Sequence, residues 1–193
     1  MIHRLHDFII WCSHTWWAVA LLFAGQTGTM RLMSSITQRF PAETAGDIPF
    51  DMQNTLTTEQ VFRQLAGYSD AAFSSYYRFQ ALDFLFPLFG GLFLAAVCAF
   101  AVRHAAPRWY NFAVARNLFV LILLATVFDY LENIGLLWTV SAWPAQVQAA
   151  AMLGVTAKVA KLTCLFTSAG LTVLFLLAAA GRWAGSKLGR VKG

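Results

Sequence analysis

Asp129, Glu132 and Asn133 stand at i, i+3 and i+4 within the run Phe128-Asp129-Tyr130-Leu131-Glu132-Asn133. On a helix that spacing sets two carboxyls and an amide on one face. The flanking residues, from Asn117 to Trp138, read as bilayer-buried helix, where an ionisable side chain is costly and marks a candidate functional site. A pair of carboxyls can divide acid and base roles in proton transfer, so Asp129 and Glu132 are the catalytic candidates. Asp83, Lys158 and Lys161 also fall inside apolar runs, and Arg78 lies close enough to the end of its run to join them.

Other chemistries find little support. Cys12, Cys98 and Cys164 stand alone in apolar runs with no Cys-x-x-Cys or Cys/His cluster. Neither a disulfide framework nor a zinc site is expected, and the three read as buried thiols. His14 is the only histidine in the interior of a span, so haem ligation between helices lacks a second ligand. No cofactor or metal is expected. There is no phosphate-cradling loop, nucleophile elbow or metalloprotease helix. The basic tail Arg182, Lys187, Arg190 and Lys192 suits anionic lipid rather than nucleic acid. Phe84, Phe86, Phe89 and Phe93 read as lipid-facing or packing residues.

The elements that must position these groups follow from composition. Of 193 residues, 59% are hydrophobic and 12% charged, with mean hydropathy +0.59. Soluble domains carry about 25% charged residues, so a single all-α membrane domain is expected, a bundle of four transmembrane helices. The spans fall at approximately 6–25, 77–102, 117–138 and 155–181, each near the roughly 20 residues a crossing needs. The first resembles a secretory signal at its charged start, but its length and Trp11, Trp16 and Trp17 favour a retained helix.

Residues 26–76 form the long hydrophilic segment between the first two spans. Thr57-Thr58-Glu59-Gln60 fits a capping box, and Val61, Phe62 and Leu65 follow at helical spacing. Tyr76 and Tyr77 suit an aromatic belt at the entry to the second span. Pro87 should kink that span, and Gly90-Gly91 would permit a close neighbour. The connection from Thr139 to Ala157 is uncharged, and Pro144 can open the last helix.

Loop charge sets the expected orientation. The N-terminus, second connection and tail together hold eight basic residues and one acidic, Asp7. The first connection, through Arg78, holds four basic and five acidic residues. Both termini are therefore expected in the cytoplasm, in a multi-pass cell-membrane protein, with the long segment outside. Asp83 then lies about 9 Å beyond Tyr77, and Glu132 about 9 Å below Trp138, at 1.5 Å rise per residue. Three acids and two lysines gather in the outer half of the bilayer. Unpaired, at about 2.5–3.5 kcal/mol each, five such charges would cost more than about 10 kcal/mol. They must pair, take up protons or line a wet cavity.

Phe50-Asp51-Met52-Gln53, Thr58-Glu59, Tyr68, Tyr77-Arg78-Phe79, Asp83-Phe84-Leu85-Phe86-Pro87 and Asp129-Tyr130-Leu131-Glu132-Asn133 together resemble a group of small four-span bacterial membrane proteins. The resemblance covers roughly residues 50–135 and brings no reaction or ligand with it. It implies that Asp51 and Gln53 belong with the membrane acids, in a segment folded over the cavity. A four-span layout is also shared with quinone-linked disulfide-forming enzymes, but the outer segment has no cysteine, which excludes that chemistry.

The leading expectation is a charged, outward-facing pocket with a binding or accessory role for a lipid or other membrane component. Its binding residues would be Arg78, Asp83, Asp129, Glu132, Asn133, Lys158, Lys161, Asp51 and Gln53. An enzyme acting on an amphiphilic lipid or isoprenoid is the alternative, with Lys158 or Lys161 holding an anionic group. A structural subunit, bound to partner subunits or to a second copy of the chain and using the charges as internal glue, is the third.

Overall fold

The computed structural model describes residues 1–191, with side chains through residue 187; Lys192 and the Arg190 side chain of the basic tail lie outside the described residues. The described chain is all-helical, without a strand. Its helices are α1 (Ile2–His14), α2 (Trp16–Thr37), α3 (Phe40–Glu43), α4 (Thr58–Leu65), α5 (Asp70–Asp83), α6 (Phe86–Ala105), α7 (Pro107–Ala115), α8 (Leu124–Ala142) and α9 (Gln148–Val191), with short 3-10 turns at Phe50–Met52 and Leu118–Leu123. Three stretches are long and apolar enough to cross a membrane: Asp70–Ala105, Leu118–Ala142 and Gln148–Lys187. A fourth exists if the bent pair at the N-terminus counts as one span.

The first expected span, 6–25, is corrected. The helix stops at His14, Thr15 is extended (φ −120°, ψ 97°), and the chain bends by 104° before α2 begins. Neither proline nor glycine marks this break. What sustains it is a tertiary contact: Arg103 Nη2 donates to the Ser13 carbonyl at 3.2 Å, satisfying a helix-end acceptor. Helix α2 then runs past Gly25-Gln26 to Thr37, so the expected hydrophilic connection begins as helix. The Thr29 hydroxyl, bonded back to the Gly25 and Gln26 carbonyls at 2.9 Å each, hides its polarity inside that helix.

The expected kink at Pro87 appears as a break over Phe84-Leu85. Proline lacks the N–H that would bond the Asp83 carbonyl four residues earlier. Asn133 Nδ2 donates to that carbonyl instead, at 3.4 Å, and Thr126 Oγ1 donates to the Pro87 carbonyl at 3.0 Å. At the other end of α8, Pro144 does not open the last helix. It follows a cis peptide bond with Trp143 in a short connection, and α9 starts at Gln148.

The chain divides into two compact units. One comprises Met1–Phe23, Gly90–Leu124 and Thr163–Gly193. Its described core packs Ile9, Ala95, Cys98, Ala99, Val102 and Phe119. The other comprises Ala24–Phe89 and Ala125–Leu162. Its core joins Phe40, Phe50, Val61, Phe62 and Leu65 of the hydrophilic segment to Tyr76, Leu136, Val140 and Ala151. The capping box that starts α4 is formed, with Gln60 N donating to Thr57 Oγ1 at 3.3 Å and Thr57 N to Gln60 Oε1 at 2.8 Å. It aims Val61, Phe62 and Leu65 into that core, so the segment is a folded cap rather than a loose loop.

Candidate functional site

The site lies wholly within the second unit and starts from a close helix crossing. A Cβ added to Gly135 would sit 2.5 Å from the Gly154 nitrogen, and one on Gly154 would sit 2.8 Å from the Leu136 side chain. Only glycines allow α8 and α9 to approach so closely. One turn away on each helix stand Glu132 and Lys158, so this crossing brings the two charges together.

Glu132 is fully buried and takes a lysine on each oxygen. Lys158 Nζ lies 2.7 Å from Oε1 and Lys161 Nζ 2.5 Å from Oε2. Lys161 also approaches Asp129 Oδ2 at 3.6 Å. Lys158 directs its other protons to the carbonyls of Phe50 and Asp51, at 2.9 and 3.1 Å. The 3-10 turn of the cap is thus pinned onto α9. A buried pair needs such extra hydrogen bonds to offset the loss of water. Asp51 lines the same cavity as Asp83 and Asp129, and its Oδ2 accepts from Tyr76 OH at 3.0 Å. Burial, with Glu132 nearby, pushes the Asp51 carboxyl up to about 6 against the pull of Lys158 and Lys161.

Beside this network is a cavity of about 330 Å³. Asp51, Asp83, Asp129 and Lys161 give it a polar wall; Met30, Met33, Met52, Phe79 and Phe86 line it with apolar surface. Asp83 is 5% exposed. Among the described residues its carboxyl has neither a hydrogen bond nor an ion pair within 4 Å. Asp51 Oδ1 and Asp129 Oδ1 are enclosed and have no donor. Gln80 Oε1 and Asn133 Oδ1, buried just behind, also lack one.

The remaining predicted residues separate. Asn133 serves structure, repairing the Pro87 break, while its carbonyl receives Gln80 Nε2 at 3.4 Å. Gln53 exchanges side-chain hydrogen bonds with Gln64 at 2.9 and 3.0 Å, tying the cap to α4 outside the cavity. Arg78 is exposed and pairs with no acid among the described residues, which corrects the expectation that it joins the cluster. The reason is helical: Tyr76, Phe79, Gln80 and Asp83 form the buried stripe of α5, and Arg78 points away from it. Tyr76, expected in an aromatic belt, is fully buried instead. Gln80 and Tyr76 are not among the predicted site residues, although their i, i+3, i+4, i+7 spacing with Asp83 signals a shared face.

Without Arg78, Asp51, Asp83, Asp129 and Glu132 face only Lys158 and Lys161, and both lysines are engaged. The wall therefore presents more carboxyl groups than cations, and neither lysine is free. Among the described residues, no group of three His, Cys, Asp or Glu side chains has metal-holding geometry. Compared with known proteins, the chain matches no family model, no curated protein and no solved structure, so the geometry alone carries the functional reading.

Proposed function

We propose that this is a multi-pass membrane protein, with both termini cytoplasmic, that binds an amphiphile in the Asp51–Asp83–Asp129 cavity. The ligand class is a chain or ring system bearing one cationic amine. The observation that carries the reading is the buried Asp83 carboxyl, which lines the cavity with no hydrogen-bond or ion-pair partner among the described residues. A further positive group with N–H donors would balance the acid excess and give the Asp83 carboxyl a donor. The methionine and phenylalanine walls suit an apolar tail, since unbranched Met side chains adapt to varied shapes.

Glu132, Asp129 and two cap carbonyls already occupy Lys158 and Lys161, so the grip on an anionic group expected of either lysine gives way to a cationic ligand on the acids. Asp129 remains the better acid/base candidate of the catalytic pair, having one oxygen without a donor, whereas both Glu132 oxygens lie against lysines. Native mass spectrometry of gently extracted protein tests the proposal. An amine-bearing amphiphile retained at one copy per chain, and lost in Asp83→Asn, supports it. An empty cavity after mild extraction in amine-containing lipid, or retention unaffected by Asp83→Asn, contradicts it.

A further inference from the structure

The other unit holds a second cavity, with the opposite electrostatic character. Its volume is about 390 Å³, and its wall includes Ser13, His14, Trp16, Phe100, Arg103 and Leu176. It sits at the 104° break between α1 and α2. Arg103 is held there from two sides: Nη2 donates to the Ser13 carbonyl at 3.2 Å, and the guanidinium lies 5.5 Å over the Phe100 ring. Its other nitrogen, Nη1, is enclosed and has no hydrogen-bond partner. His14 lines the same wall, with Nε2 3.1 Å from Tyr110 OH. The first amides of α2 begin there too, and a helix start carries unbonded N–H groups and partial positive charge.

What is missing from this unit is a counter-charge. Its one carboxylate among the described residues is Asp7, whose side chain is 79% exposed and lies 4.0 Å from His6. A guanidinium nitrogen enclosed in an apolar helix bundle without an anion is strongly disfavoured. The capping of Ser13 explains one nitrogen of Arg103 and leaves the other aimed at nothing.

We infer that this cavity is a binding site for the phosphate headgroup of an anionic phospholipid, with the Arg103 guanidinium as the principal donor and His14 beside it. Trp16, Phe100 and Leu176 border the path of the acyl chain. The site is separate from the acid-lined cavity and independent of its ligand. It also gives the helix break a purpose, since a continuous first helix would not turn a fresh N-terminus and the Arg103 side chain toward one point.

The test uses the full chain in nanodiscs of phosphatidylcholine doped with phosphatidylglycerol, followed by native mass spectrometry with stepwise activation. One phosphatidylglycerol retained per chain beyond the annular lipids is expected. Arg103→Gln should weaken retention by about tenfold to a hundredfold, the scale of one lost charge-assisted hydrogen bond. Arg4→Gln, an exposed basic control, should leave it unchanged. Because Arg103 also caps α1, a second arm uses Val97, which also lines the cavity: Val97→Phe fills it, keeps the guanidinium, and should weaken retention to a similar extent. Equal losses in Arg4→Gln and Arg103→Gln would reduce the effect to diffuse surface charge and overturn the site. So would retention of phosphatidylcholine equal to that of phosphatidylglycerol, or undiminished retention in Val97→Phe.

Discussion

Glu132 holds two lysines, and the three groups act as a unit because none can be left alone in an apolar interior. Truncating Lys158 to methionine strands half of the Glu132 charge and releases the Phe50 and Asp51 carbonyls from their donor. Removing one member of a buried pair costs about 3–5 kcal/mol. Lys158→Met is therefore expected to lower stability by that amount in chemical denaturation, and adding Glu132→Gln should recover part of it. Additive losses would mean that the two groups are not coupled. Asp51 supplies a pH signature. Its carboxyl is raised from 3.8 to about 6, so the folded state holds its proton more tightly than the unfolded chain. The stabilisation this gives is present at low pH and lost as pH rises from about 4 through 6. The stability of the native sequence relative to Asp51→Asn should fall across that window; a flat difference contradicts the burial that raises the carboxyl.

The elements show where sequence spacing suffices and where it does not. Asp129 and Glu132 share one face of α8 because their i, i+3 spacing is local to one helix. Depth alone places Arg78 in the cluster; the same periodicity, applied to Tyr76, Phe79, Gln80 and Asp83, turns it outward. The break at Thr15 is not legible in the sequence. No residue there disfavours helix strongly, and Arg103, which bonds the Ser13 carbonyl at the break, is distant along the chain. Nor is the α8–α9 crossing legible, since an isolated Gly135 and Gly154 do not reveal that they meet. It yields a sharp expectation: Gly135→Ala forces backbone apart and should cost about 1–3 kcal/mol, the range for overpacking. Gly28→Ala, inside α2 with open space around it, should instead raise stability by about 0.5–1 kcal/mol in the same thermal-unfolding assay. Comparable effects of both would place the glycines' role in helix propensity rather than in the crossing.

At the scale of the molecule, charge is sorted between the two units. By sequence, one has eight basic residues against Asp7, and the other has Arg31, Arg39, Arg63, Arg78, Lys158 and Lys161 against the remaining eight acids. This sorting is why composition and loop charge are enough to suggest an orientation, whereas the packing of the cap does not follow from its polarity. Positive-inside bias predicts that a cysteine introduced at the exposed Thr55 is labelled by a membrane-impermeant reagent in intact cells, while one at Lys187 is labelled only after lysis. The reverse pattern would invert the topology and place the acid-lined cavity on the cytoplasmic side. What that cavity accepts is tested most directly by a matched-ligand titration. A long-chain alkylamine, the alcohol of equal length and the corresponding alkyl phosphate would each be titrated into the protein in nanodiscs, with thermal unfolding as readout. The predicted result is saturable stabilisation by the amine alone, abolished in Asp83→Asn while the unliganded variant remains folded. Equal stabilisation by the alcohol, preference for the phosphate, or an undiminished response in Asp83→Asn would contradict a cation-binding cavity.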